Sequence, residues 1–170
     1  MTPVGKPDWW DAAREFLLKD ELLALVVEKY SEGCLSGKGD LFATFVNSII
    51  GQQISVIAAE AIWNRLNAKV GEITPENISS FSPQEIAGCG LTRSKTSYIL
   101  GIANNPDEFL SPNYSVMSDE EVHKHFISFR GIGPWTSEML MIFSLLRPNV
   151  FSIGDIGLVK AVKILNPNIQ

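Results

Sequence analysis

The sequence predicts an all-α protein, and three observations carry that expectation. Apolar residues recur at helical spacing through most of the 170-residue chain, Ser, Thr and Asp stand where helices would open, and no alternating apolar run is long enough for a sheet. With 45% hydrophobic residues, no internal repeat and no shift in composition, residues 1–170 read as one compact unit able to bury a sizeable core.

The elements follow in order. Asp8-Trp9-Trp10-Asp11 opens a helix reaching Lys19, and Glu21 to Lys29 forms a second. Residues 31–39 are expected as a loop. Asp40 caps an apolar helix from Leu41 to Ile50, Gly51-Gln52-Gln53 breaks it at a sharp corner, and another helix runs from Ser55 to Leu66. Ser82-Pro-Gln-Glu85 is a capping box, and Ser118-Asp-Glu-Glu121 marks a further helix start. Between them a helix spans about Thr92 to Ala103, and residues 104–114 are expected as a loop.

The most informative stretch is Phe129-Arg-Gly-Ile-Gly-Pro-Trp-Thr136. Gly131 and Gly133 can adopt backbone angles closed to other residues, which makes a tight turn with bare N–H groups. Pro134 suits the first turn of a helix. Free amides and the positive end of the helix dipole then make a site for phosphate or another anion, to which Thr136 can add its amide or hydroxyl. The same pattern also fits a plain turn into a buried helix. The run Met139 to Leu146, MLMIFSLL, predicts that this helix is buried, with Arg147-Pro148-Asn149 ending it. Gly154 permits a turn, and Asp155 precedes the periodic run Ile156, Val159, Val162, Ile164, Leu165, so Asp155 is expected at an N-cap. Amides and dipole would keep that carboxylate charged, which suits both a cap and electrostatic catalysis.

The run GIGPWTSEMLMIF...RPNVFSIGDIGL, with the earlier IIGQQISVIAAEAIWNRL, closely resembles the helix-hairpin-helix DNA glycosylases of the alkylated-base type, the 3-methyladenine DNA glycosylase II group. The resemblance covers about residues 40 to 165. It implies a two-lobed helical fold with the active site in a cleft between lobes, and base excision repair as the function. Asp155 matches the catalytic acid, and the amides of Gly131, Gly133 and Thr136 match those that grip DNA phosphate. Gln53 matches the residue that fills the gap left by a flipped base, although both corner glutamines could instead simply hydrogen-bond the helix junction. Trp135 stands where strand-cutting relatives carry a Schiff-base Lys, implying a monofunctional enzyme. Its indole either lines the base pocket or sits in the core with its N–H paired. Members also hold a monovalent cation, Na+ or K+, on hairpin carbonyls, here matched by Ile127, Phe129 and Ile132. They continue beyond the catalytic helix with an aromatic and basic segment, whereas this sequence ends at Gln170.

Other features narrow the classes. Cys34 and Cys89 are too few for the iron–sulfur cluster of some relatives and are expected as buried thiols, so no cofactor is required. His123 and His125 face different sides of a helix and form no metal pair. No signal peptide or membrane-spanning run is visible, which favours an intracellular setting, while the resemblance implies double-stranded DNA with alkylated bases as the partner of a monomer. The net charge of −5 is unusual for a DNA binder, and Arg93, Lys95 and Arg130 are the candidate phosphate contacts. Two other readings remain: a lesion binder without turnover, and a helical interaction domain.

Overall fold

A computed structural model describes residues 2–165. The elements in chain order are β1 (Val4–Gly5), α1 (Trp10–Leu17), α2 (Glu21–Lys29), β2 (Gly37–Lys38), α3 (Leu41–Gly51), α4 (Val56–Val70), α5 (Pro75–Ser79), α6 (Pro83–Gly88), α7 (Arg93–Ala103), α8 (Asp107–Leu110), a 3-10 turn (Tyr114–Val116), α9 (Asp119–Ile127), α10 (Pro134–Phe143) and α11 (Ile156–Leu165). The helical class is as expected.

The fold is organised around α3. The Asp40 carboxylate accepts the Ala43 amide at 2.7 Å and starts the helix. Leu41, Phe42, Phe45, Val46, Ile49 and Ile50 are all buried, and the hydroxyls of Thr44 and Ser48 turn back to main-chain carbonyls one turn earlier. A helix with so little polar surface must be enclosed. It packs against α4, α7 and α10, and α9 lies along α10. An aromatic chain from Phe45 through Phe109 to Phe126 and Phe129, with centroid spacings of 5.2–5.6 Å, ties α3, α8 and α9 together. Both capping boxes form, Ser82 with Glu85 and Ser118 with Glu121.

Outside this core, α1, α2 and α11 contain no buried residue. The N-terminal segment is held by the antiparallel pairing of Val4 with Lys38 and Gly5 with Gly37, and by the Trp9 indole donating to the Leu146 carbonyl at 2.8 Å.

Several expectations need correction. The loops at 31–39 and 104–114 contain β2 and α8, a two-residue strand and a one-turn helix too short to show periodicity. The apolar run after Met139 leaves the helix at Phe143: the Leu145 amide reaches back to the Leu140 carbonyl, the Arg147 amide reaches Met141, and Leu146 turns at φ +54°. Leu145 and Leu146 are buried beyond the helix end while Phe143, inside the helix, is exposed, so the apolar run is neither wholly helical nor wholly buried. Cys34 is exposed, and only Cys89 is a buried thiol. On α11, Ile156 is 72% and Ile164 77% exposed while Val162 and Leu165 are half-buried, so its apolar run is only partly covered by the described elements.

Candidate active site and nucleic-acid interface

A cleft of about 1210 Å³ opens between the α3–α4 corner on one side and the first turns of α10 and α11 on the other. Gln52, Gln53 and Ser55 line the first wall, with Gly133 to Thr136 and Gly154 to Gly157 opposite. Gln53, Gly133, Trp135, Thr136 and Asp155 therefore border one space, whereas Ile127, Phe129, Gly131 and Ile132 are not among its lining residues.

The hairpin between α9 and α10 reaches this space through a glycine turn. Gly131 has φ +93°, a conformation that glycine adopts without strain. A Cβ there would stand 2.3 Å from the Tyr98 ring, so close packing enforces glycine as well. Gly133 differs from the expectation. Its φ of −94° and ψ of −178° are ordinary extended backbone, and nothing lies near a Cβ built on it. What glycine supplies at 133 is a bare N-cap: no side chain caps α10, and Pro134 occupies its first turn. Amides in the first turn of a helix lack intrahelical acceptors, and the dipole adds positive charge. Gly133 is exposed at the cleft, whereas Thr136 is buried with its hydroxyl accepting from Gln52 at 2.9 Å.

On the same wall as Gly133 and Thr136, Asp155 is half-buried at the start of α11. One oxygen, Oδ1, accepts the Leu158 amide at 2.8 Å, which is the N-cap bond the sequence predicted. The other, Oδ2, accepts the Trp135 indole N–H at 2.8 Å. The indole bond, the Leu158 amide and, more weakly, the Gly157 amide hold the carboxyl below its usual range, outweighing desolvation. Trp135 is thus both cleft wall and hydrogen-bond donor, and its indole is not enclosed in the core.

The two corner glutamines separate. Gln53 is exposed with φ +58°, while Gln52 turns inward and donates to the Gly131 carbonyl at 3.0 Å as well as to Thr136. The resemblance matches Gln53 to the plug, and the junction hydrogen bonds open to either glutamine are made by Gln52. Lys95 is placed differently from its expected role: its ammonium donates to the carbonyls of Ile50 at 2.9 Å and Gln52 at 2.8 Å, and so caps the end of α3. Burial lowers its pKa. Arg93 is exposed, and Arg130 lies 5.8 Å from the Tyr98 ring centroid. At the hairpin, the Phe129 carbonyl already accepts the Ile132 amide at 3.1 Å. Uncharged carbonyls at Ile127, Phe129 and Ile132 are hard oxygen donors, chemistry that fits an alkali cation rather than a transition metal. Among the described residues no three His, Cys, Asp or Glu converge on a metal position, and no helix is long and apolar enough to cross a membrane.

With this geometry in place, comparison with known proteins is decisive: the model of the HhH-GPD superfamily of base excision DNA repair proteins matches residues 46–169. This chain belongs to that superfamily. The DNA-3-methyladenine glycosylase of Bacillus subtilis is 30% identical over 165 residues, covering 89% of this chain and 54% of that protein. Among solved structures, the 3-methyladenine DNA glycosylase of Archaeoglobus fulgidus superposes with TM-score 0.81 at 27% identity, covering 93% of this chain and 58% of that one. The Schizosaccharomyces pombe 3-methyladenine DNA glycosylase, in complex with abasic DNA, superposes with TM-score 0.78 at 26% identity over 93% of this chain and 82% of that one. The chain spans about half the length of the Bacillus relative. Membership fixes the hairpin-and-cleft architecture that the resemblance implied.

Proposed function

We propose that this HhH-GPD chain excises alkylated purines from double-stranded DNA by flipping the damaged nucleotide into the cleft and hydrolysing its N-glycosidic bond. The observation that carries this reading is that an ionised carboxylate, an indole and the bare amide end of α10 all face one open cleft. The names of its relatives support the same substrate class.

The chemistry follows from charge. Loss of the base leaves an oxocarbenium-like sugar, and a carboxylate about 4 Å away contributes roughly 4 kcal/mol at an effective dielectric near 20. That corresponds to about a thousandfold in rate. With its pKa depressed, Asp155 is a poor proton acceptor, so its role is to stabilise the cation and orient water rather than to abstract a proton. Glu60 and Asp155 line the cleft, and no Lys or Arg does among the described residues. A cationic alkylated base is favoured in such a cleft and is also a good leaving group. The lack of a lining amine fits hydrolysis without strand cutting.

The amides of Gly131 and Gly133, with the dipole end at Thr136, would hold backbone phosphate, and Gln53 would occupy the vacated stack. A monovalent cation would be held by the carbonyls of Ile127, Phe129 and Ile132 and would add positive charge beside that phosphate. The test is incubation with methylated and undamaged duplexes. Alkali-labile abasic sites should appear in the methylated duplex alone, without direct strand breaks. DNA binding with no abasic sites would make the chain a lesion binder instead, and binding to neither duplex would leave a helical interaction domain.

A further inference from the structure

The geometry points to Gln52 as a positioning residue that fixes the corner carrying Gln53 to the phosphate-binding hairpin, so that grip on the backbone and entry of the plug are one event. This rests on the glycosylase reading above.

Three chain segments meet at Gln52. Its side-chain amide donates to the Gly131 carbonyl at 3.0 Å and the Thr136 hydroxyl at 2.9 Å, 79 and 84 residues away in sequence. Because the Gly131 carbonyl can only accept, the NH2 end of Gln52 must face the hairpin, and the amide orientation is fixed by chemistry. The Gln52 carbonyl in turn accepts the Lys95 ammonium at 2.8 Å, and the same ammonium holds the Ile50 carbonyl. One turn further along α7, Tyr98 packs over Gly131. The corner is therefore pinned to α7 through its main chain and to the hairpin through its side chain.

Gln53 follows immediately in a left-handed conformation that a non-glycine residue holds only when its surroundings impose it. Its own side chain is exposed, and its conformation is that of the third residue of a turn closed by the Ile54 amide on the Gly51 carbonyl at 3.5 Å, whose second residue is the anchored Gln52. Gln52 touches no substrate in this scheme. It sets where Gln53 stands relative to the amides that hold the phosphate.

The variant is Gln52→Met in the full chain, which keeps the length of the side chain and removes both donors. One probe is a duplex with 2-aminopurine next to a stable abasic-site analogue, whose fluorescence reports unstacking without requiring turnover. The other is single-turnover excision of 7-methylguanine, either fully paired or opposite an abasic site, where little unstacking remains to be done. Gln52→Met should lose most of the fluorescence rise at saturating protein. Excision from the paired duplex should fall about tenfold, the scale of one or two hydrogen bonds, and excision opposite the abasic site by less than about threefold. Thr136→Val, which removes one of the two acceptors, should show a smaller shift in the same direction. A full fluorescence rise in Gln52→Met, or equal loss on both excision substrates, overturns the coupling. Wild-type protein that unstacks the probe but excises neither substrate overturns the glycosylase reading and leaves the coupling standing.

Discussion

Asp155 serves two purposes with two oxygens. Oδ1 caps α11 through Leu158, and Oδ2 takes the Trp135 indole, so the purposes can be separated by mutation. Trp135→Phe removes the donor that lowers the carboxyl pKa most while keeping an aromatic wall. For a group whose folded pKa is depressed, the stabilisation is present above the unfolded pKa and is lost as pH falls through the folded one. In wild type the cap should therefore persist to pH values below the ordinary carboxyl range. In Trp135→Phe the acid limb of excision and the acid-induced loss of thermal stability should both move to higher pH, which paired pH profiles of rate and melting temperature would show. Unmoved profiles would mean that the indole does not tune the acid. The cap itself was legible because an Asp ahead of a periodic run is a local signal. The indole contact was not, since it depends on how α10 and α11 lie across a twenty-residue separation.

Among the elements, the hairpin offers the clearest contrast, because its two glycines are there for different reasons. Gly131→Ala meets both a positive φ and the Tyr98 ring, so a loss of about 1–3 kcal/mol from backbone strain is expected, with a further steric cost. Denaturant melts should show that Tyr98→Ala in the same chain recovers only the steric part. Gly133→Ala meets neither strain nor a clash and should cost only about 0.5–1 kcal/mol, because Ala is a poorer N-cap than Gly, yet weaken DNA binding because the new methyl stands at the bare amide end. Unchanged affinity on titration would remove that end of α10 from the interface. Many helix starts are legible, since Asp40, Ser82, Thr92 and Ser118 all cap as their residue types suggest, but α1 starts at Trp10 behind an uncapped Trp9 rather than at Asp8, and the five-residue α5 behind Thr74 is too short to show. Helix ends and one-turn elements are not legible: the exit after Phe143 and the existence of α8 are decided by packing between segments distant in sequence.

At the scale of the whole molecule, the core draws on every helix from α3 to α10, while α1, α2 and α11 bury nothing. Amide hydrogen exchange should follow that division, with the strongest protection in α3, α7 and α10 and rapid exchange in α1 and α2. Uniform protection would show that the peripheral helices fold with the core. The charge balance has a similarly global consequence. If phosphate is held by amides as proposed, a chain of net charge −5 releases few counterions on binding, so the slope of log affinity against log salt should be shallow, on the order of two to four. The helical class and the single core could be read from periodicity alone. The partial cover of α11 could not, because amphipathic spacing says which side wants cover and not how much is present.

The central claim is that the Asp155 carboxylate acts on a sugar losing its base, and Asp155→Asn tests it most directly, because Asn caps a helix about as well as Asp. Single-turnover excision of 7-methylguanine should fall about a thousandfold, with DNA affinity close to wild type and only a modest drop in melting temperature, since Asn keeps an oxygen for the Leu158 cap but turns an NH2 toward the Trp135 indole N–H. Excision that survives the substitution, or that falls only in proportion to lost folded protein, would contradict the account and leave Asp155 as a helix cap.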